Sequence, residues 1–490
     1  MADPRPRHRA LDLIAGLAAL ITLAALAVLP GSAATVSAPA ASHGRSVTFT
    51  RHTVAGPAAF AAAAGGAATP VPSVAGQSMI QLQSPRPLST ADCLATIKLR
   101  CYSPLQYRVA YDLEPLYQKN ITGQGQTIVI VDSFGSPRIK QDLAHFDRQW
   151  GLPNPPAVNQ YKLGHWEFRK SNATMDGWAE ETTLDVEYAH AIAPAATIDL
   201  VETPVAETEG VTGFPQMMMA IKDVIDATKV DVISQSFGAT ENTFPGFGQG
   251  NYASIDSLRY AFQDAARRHV TVLAASGDSG ATNDKADGAT LYPFPVVAWP
   301  SSDPLVTSIG GTQLQLAQDG NKIRPDQVWG DEYGAGGGGL SAVFGQPGYQ
   351  NDVGSVVDGH RGTPDISMSA AVSGGAWIYQ SFEPGGAGWE ILGGTSEATP
   401  IFAGIVALAS QKAGHPLGNI DTALYRLGAQ SRLKNGPSAT GIVDVTTGTN
   451  TFGNVTGYQA RPGYDLASGW GTIDAARFVP ALAQAASQHS

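Results

Sequence analysis

TIVIVDSFG, residues 127–135, is a run of β-branched residues that stops in a turn of small and polar ones. It reads as a buried strand, since its apolar residues run on without polar alternation. The form recurs in DVISQSFG (231–238) and HVTVLAASGDSG (269–280), with helical stretches such as Met217 to Thr228 and Ser254 to Arg268 nearby. This alternation predicts an α/β fold with a mostly parallel sheet covered by helices on both faces. In such folds functional groups collect beyond the carboxyl ends of the strands. The residues that close each run are therefore the places to look for chemistry.

The chain has 490 residues, 43% hydrophobic and 15% charged, which is enough apolar material for a large core. Its net charge of −11 argues against a general nucleic-acid or anionic-membrane binder, which needs a basic face. Gly 55 and Pro 32 make it rich in turns. Two cysteines exclude a disulfide-scaffold fold and multi-cysteine zinc modules.

The N-terminus has the form of an export signal. Arg5, Arg7 and Arg9 precede an uncharged run from Leu13 to Leu29, and Ser32-Ala33-Ala34 follows. Residues 1–34 are expected to be a signal peptide and the product to be secreted; an uncleaved membrane anchor is the alternative. Residues 35–101 are largely Ala/Pro/Gly/Ser-rich and read as a short prosegment or linker. Near its end Cys93 and Cys101, eight positions apart, are expected to close a local disulfide loop in an exported protein. Residues 102–490 carry the strand–helix alternation and form the expected catalytic domain.

The strongest local feature is GGTSEATPIFAGIVALA (393–409), which places Ser396 just before Pro400 and a long apolar helix. Proline favours the first turn of a helix, and the amides and dipole there favour developing negative charge. GTSEATPIFAG resembles the segment around the nucleophile of subtilisin-like serine peptidases. IVIVDSFG, SQSFG and LAASGDSG resemble other strand ends of that fold, in the same order. The histidine motif of subtilisins has no counterpart: WAEETTLDVEYAHAIAPAATIDLVE (178–202) offers Glu181 and Asp185 instead, and His190 lacks the Gly-Thr that should follow it. Where subtilisins carry an oxyanion asparagine, this chain has Asp278. These substitutions are the pattern of the sedolisins, the serine-carboxyl peptidases. RGTPDIS (361–367), VAWPSSDPLVTSIGGTQL (297–314) and GYDLASGWG (463–471) extend the resemblance over about 102–480.

The chemistry follows from the residue types. Positions i and i+4 share a helix face, so Glu181 and Asp185 can point together into a cleft. Two carboxylates in contact hold a proton between them and titrate as a pair. That suits a general base at acid pH, where a histidine is protonated. The pair formed by Asp176 and Glu180 has the same spacing, but the 181–187 register is the one that matches the family. Glu181 is expected to take the proton of Ser396, Asp185 to orient Glu181, and Ser396 to attack the peptide carbonyl. Asp278 can donate to an oxyanion only as a carboxylic acid, which again implies acid pH.

The resemblance implies further sites. Ser236, Phe237 and Gly238 should offer an extended edge on which a peptide substrate pairs. One Ca²⁺ should be held in a C-terminal loop by Asp444, Asp465 and the carbonyls of Val445, Arg461 and Gly463, an all-oxygen set. Arg461 stands where the family has glycine. The reading is a secreted, monomeric acid endopeptidase acting on polypeptides. A tripeptidyl exopeptidase and a catalytically inactive binding protein of the same fold are the rivals.

Overall fold

The β-branched runs form the centre of the molecule. In the computed structural model the described residues are 34–36, 47–52, 79–83, 86–170, 172–382, 386–433 and 439–487. The signal-peptide expectation falls on residues outside this set, apart from residue 34. Seven parallel strands make the main sheet: β1 Thr127–Ser133, β2 Val158–Lys162, β3 Thr197–Thr203, β4 Val232–Gln235, β5 Thr271–Ala275, β6 Thr307–Gln313 and β7 Ile366–Ser369. Their order across the sheet is β2-β3-β1-β4-β5-β6-β7. A short antiparallel strand, Gln327–Val328, pairs with the end of β6.

Alternate residues of one strand feed two different cores, which is why the runs read as continuously apolar. Ile128 and Ile130 of β1 face one side and Val129 and Val131 the other. The first side is covered by helices α1 Ile139–Trp150 and α2 Ala173–Ile192, and the second by α3 Phe214–Ala227 and α4 Tyr260–Arg267. Helix α5, Thr395–Ala413, lies on the first side, with α6 Asp421–Leu433 and α7 Ala475–Ala486 beyond it. From Thr395 to Ser410 every residue of α5 is buried, as expected for a helix apolar all round. Gly404 lets α5 approach α2, since a Cβ there would stand 2.6 Å from the Cβ of Ile192. Among the described residues no helix is long and apolar enough to cross a membrane.

Most of the expected prosegment or linker at 35–101 lies outside the described residues. Residues 34–36, 47–52 and 79–83 add antiparallel strands to a second sheet, in which 79–83 pairs with Gly388–Leu392. That strand pairs in turn with Gly375–Gln380, and Gly375–Gln380 pairs in parallel with Cys101–Tyr102. Helix Thr90–Thr96 starts at the Ser89 cap, and a disulfide joins Cys93 to Cys101 with their Cα atoms 6.1 Å apart. Both cysteines are buried in the core that holds α2 and α5.

Candidate active site

Three strand ends and two helices converge on one buried group of side chains. Helix α2 is capped by Asn172, whose side chain accepts from the Met175 amide, and it carries Glu181 and Asp185 one turn apart. Both are fully enclosed. Ser396 lies in the first turn of α5. The helix begins at Thr395 rather than near Pro400, so Pro400 sits inside it. There Pro400 lacks the N–H that would bond four residues back, at Ser396. The Ser396 carbonyl is instead approached at 3.4 Å by the hydroxyl of Ser236, just past β4.

The same Ser236 hydroxyl donates to Asp185 Oδ1 at 2.8 Å. Burial drives the Glu181 carboxyl well above the usual range, and the charges of Asp132 and Asp278 push the same way. The hydroxyls of Ser396 and Ser236 pull it partly back. Asp185 is likewise raised by burial, then by Asp132 and Glu181. His190 takes no part: its Nε2 faces Asp147 Oδ1 at 3.1 Å and the Pro153 carbonyl at 2.8 Å. Asp176 and Glu180, by contrast with Glu181, are only half-buried.

Asp278 follows β5 and is seated by the residue before the serine. Its Oδ1 accepts from the Thr395 amide at 2.7 Å and the Thr395 hydroxyl at 2.8 Å. Its Oδ2 is buried with no hydrogen-bond partner among the described residues, which makes it the oxygen free to carry a proton. Gly394, at φ 110°, makes this contact possible; a Cβ there would stand 2.5 Å from Oδ2. Burial pushes the Asp278 carboxyl up to about 6, against the two Thr395 donors.

Sequence reasoning missed Asp132, at the end of β1, whose buried carboxyl acts on both Glu181 and Asp185. Burial raises it too, and the charge of Glu202, its register partner on β3, adds to the shift. The sequence signal was an acidic residue closing the first strand. The Phe237 side chain lies in the core, packed on Phe214 at 6.0 Å and Trp178 at 6.5 Å between ring centroids. Beside it, Gly238 lies against the Trp299 carbonyl, 3.1 Å from where its Cβ would stand, and Ala239–Thr240 pairs with Ala298–Trp299.

Two backbone-to-carboxylate contacts link residues of the C-terminal loop. Asp444 Oδ2 accepts from the Gly463 amide at 2.8 Å and Asp465 Oδ2 from the Arg461 amide at 2.7 Å. Among the described residues no donor reaches the carbonyls of Val445, Arg461 or Gly463. The Arg461 side chain is exposed, so only its backbone enters the loop. No cluster of three or more Asp, Glu, His or Cys side chains suited to a metal lies among the described residues. Asp465 Oδ1 also accepts from the Ala467 and Ser468 amides, at 2.9 and 2.8 Å, so both of its oxygens are engaged within the loop, while the residue types remain all-oxygen donors of the kind Ca²⁺ takes.

A subtilase family profile matches residues 137–426. Kumamolisin from Bacillus sp. (strain MN-32) is 32% identical over 398 residues, covering 79% of this chain and 64% of kumamolisin. Tripeptidyl-peptidase 1 from Canis lupus familiaris is 29% identical over 324 residues, 62% of this chain and 51% of that protein. The chain thus spans less than two thirds of these relatives' length. A Pseudomonas sedolisin structure, titled a serine-carboxyl proteinase complexed with two molecules of pseudo-iodotyrostatin, superposes with a TM-score of 0.62. It is 27% identical and covers 78% of this chain and 97% of its own. With the family profile spanning more than half of its length, and with these relatives, the chain belongs to the subtilase family, in its sedolisin branch.

Proposed function

We propose that the protein is an acid serine-carboxyl endopeptidase. The observation that carries this reading is Asp278: one oxygen is fixed by Thr395 and the other is free, buried and beside the nucleophile turn. Ser396 attacks the peptide carbonyl and passes its proton to Glu181, which Asp185 orients; the proton then goes to the leaving amine as the acyl-enzyme forms. Protonated Asp278 donates from Oδ2 to the oxyanion. Water repeats the sequence to release the acid. A fluorophosphonate probe at pH 4 tests the reading: the native chain is labelled and Ser396→Ala is not. An unlabelled native chain that cleaves no peptide would instead make the fold a binding protein. The tripeptidyl-peptidase relative keeps the exopeptidase mode in play. A peptide-library digest separates the modes, since tripeptides released only from free N-termini would replace the endopeptidase reading. The export-type N-terminus supports secretion, and polypeptides are the partners.

Asp278→Asn should preserve the site, because an amide oxygen can take the Thr395 donors while the NH₂ replaces the Oδ2 proton. Asp278→Ala is expected to lower kcat by about 10²–10³-fold, as loss of one oxyanion donor does elsewhere. Asp278→Asn should retain more and lose less activity as pH rises through about 6. Kinetics from pH 3 to 8 check this; a fully active Asp278→Ala would remove Asp278 from the oxyanion site.

Calcium in the Asp444–Asp465 loop would tie together a polar, glycine-rich segment with little apolar surface of its own. An ion bound only by the folded form stabilises it by about 2.7 kcal/mol at 100 times Kd. EGTA at pH 6 should therefore lower the Tm by several degrees, and Asp465→Ala should mimic it. Unchanged melting, with no calcium by elemental analysis, would leave the loop held by its amide–carboxylate bonds alone.

A further inference from the structure

The residue after the nucleophile is itself a buried acid. Glu397 stands in the first turn of α5, fully enclosed, and among the described residues neither carboxyl oxygen has a hydrogen bond of ordinary geometry. The hydroxyls of Tyr107 and Ser369 and the amide of Ala376 offset part of the effect of burial on it, and its charge would act on Tyr102, Tyr107, Tyr111, Tyr188 and Asp278. Among the described residues, none of the groups that act most strongly on it is a Lys, Arg or His. Two of the tyrosine protons are already committed: Tyr107 donates to the Gly374 carbonyl at 2.9 Å and Tyr188 to the Trp377 carbonyl at 3.0 Å. The rings pack edge-on, Tyr102 against Tyr107 at 6.1 Å and Tyr107 against Tyr188 at 5.5 Å. A carboxylate in this cage would have no cation and few free donors, whereas a carboxylic acid can donate to a tyrosine oxygen.

We propose that Glu397 is a positioning residue that works as a neutral acid, its uncharged carboxyl filling the tyrosine cage behind Ser396 and holding the nucleophile turn in place. Its ionisation then puts an unpaired charge against that turn and unseats it. Burial pushes the Glu397 carboxyl up to about 8, so the acid form persists across the acid range and is lost in mild alkali.

The inference rests on the peptidase reading only for its kinetic arm. Glu397→Ala should lower kcat at pH 4 by about 10²-fold, the usual cost of misplacing a reacting group by about 1 Å, with KM little changed. Glu397→Gln, of the same shape and uncharged, should restore kcat. The second arm needs no catalysis. In full-length Ser396→Ala chains incubated at pH 8, Glu397→Gln should extend the half-life of the folded state by about tenfold over Glu397, with no difference at pH 4. If Glu397→Gln fails to fold, Glu397→Met fills the cage without a charge and should show the same alkaline protection. Unfolding at pH 8 as fast as with Glu397 overturns the proposal. So does a well-folded Glu397→Gln that is as slow at pH 4 as Glu397→Ala, because the proton itself would then be needed. Failure of the fluorophosphonate label would sink the peptidase reading and leave the unfolding comparison intact.

Discussion

Ser396→Ala should lower kcat by at least ~10³-fold while the chain stays folded, and Glu181→Ala should do the same. The first removes the nucleophile; the second removes the only assigned acceptor for its proton. Neither change should cost much stability. Ser396 loses one oxygen at the first turn of α5, and Glu181 is one of a group of enclosed carboxyls whose charges oppose one another. Removing it relieves Asp185 and leaves a cavity, two effects of opposite sign. Single-turnover kinetics at pH 4, paired with melting curves, make the test. More than about a tenth of native kcat in either variant would assign the chemistry elsewhere.

The second large effect concerns pH. Most proteins gain stability as their carboxyls ionise, because folding lowers those pKa values. Here the enclosed carboxyls are raised by burial: Asp278 to about 6, Glu397 to about 8, Asp132 upward, and the Glu181–Asp185 pair upward as a unit that keeps one proton between its two carboxyls, so that Glu181 can still accept from Ser396. Between the unfolded value near 4 and the folded value, the folded chain holds protons that the unfolded chain has released. Stability therefore falls as pH rises through that window, by about 1.4 kcal/mol per pH unit for each retained proton. Above the folded pKa the loss levels off. The Tm should be highest near pH 4 and fall steadily towards pH 8, and activity should peak at roughly pH 3–5 and decline as Asp278 ionises. The Ser396→Ala chain, which cannot digest itself, is the sample for the melts. A Tm maximum near pH 7, or peak hydrolysis near pH 8, would mean that these carboxyls are ionised in the folded state.

Much of this architecture is legible in the amino-acid sequence. The β-branched runs mark the sheet, because a strand that supplies apolar residues to two cores cannot alternate. The i, i+4 spacing of Glu181 and Asp185 places them on one face of α2. Asp132 is harder to read, since its meaning depends on β1 lying between β3 and β4, and strand order is not written in any one segment. The strand at 79–83 is hidden because its partner, Gly388–Leu392, lies some 300 positions away. Reading Pro400 as a first-turn residue misplaces the start of α5, because the proline instead frees a carbonyl inside the helix.

The Cys93–Cys101 tie has a practical side. It closes a loop whose far end, Tyr102, pairs with the strand at 375–380 and packs against Tyr107. Both sulfurs are walled off from solvent, so reductant reaches the finished bond only when the chain opens. Whether the bond exists is thus decided while the polypeptide is being made. Material from a reducing cytosol, where such thiols stay apart, would carry a loosely anchored Tyr102 from birth. Two preparations of identical sequence would then differ in heat tolerance, and a mild reducing wash after purification would not convert one into the other.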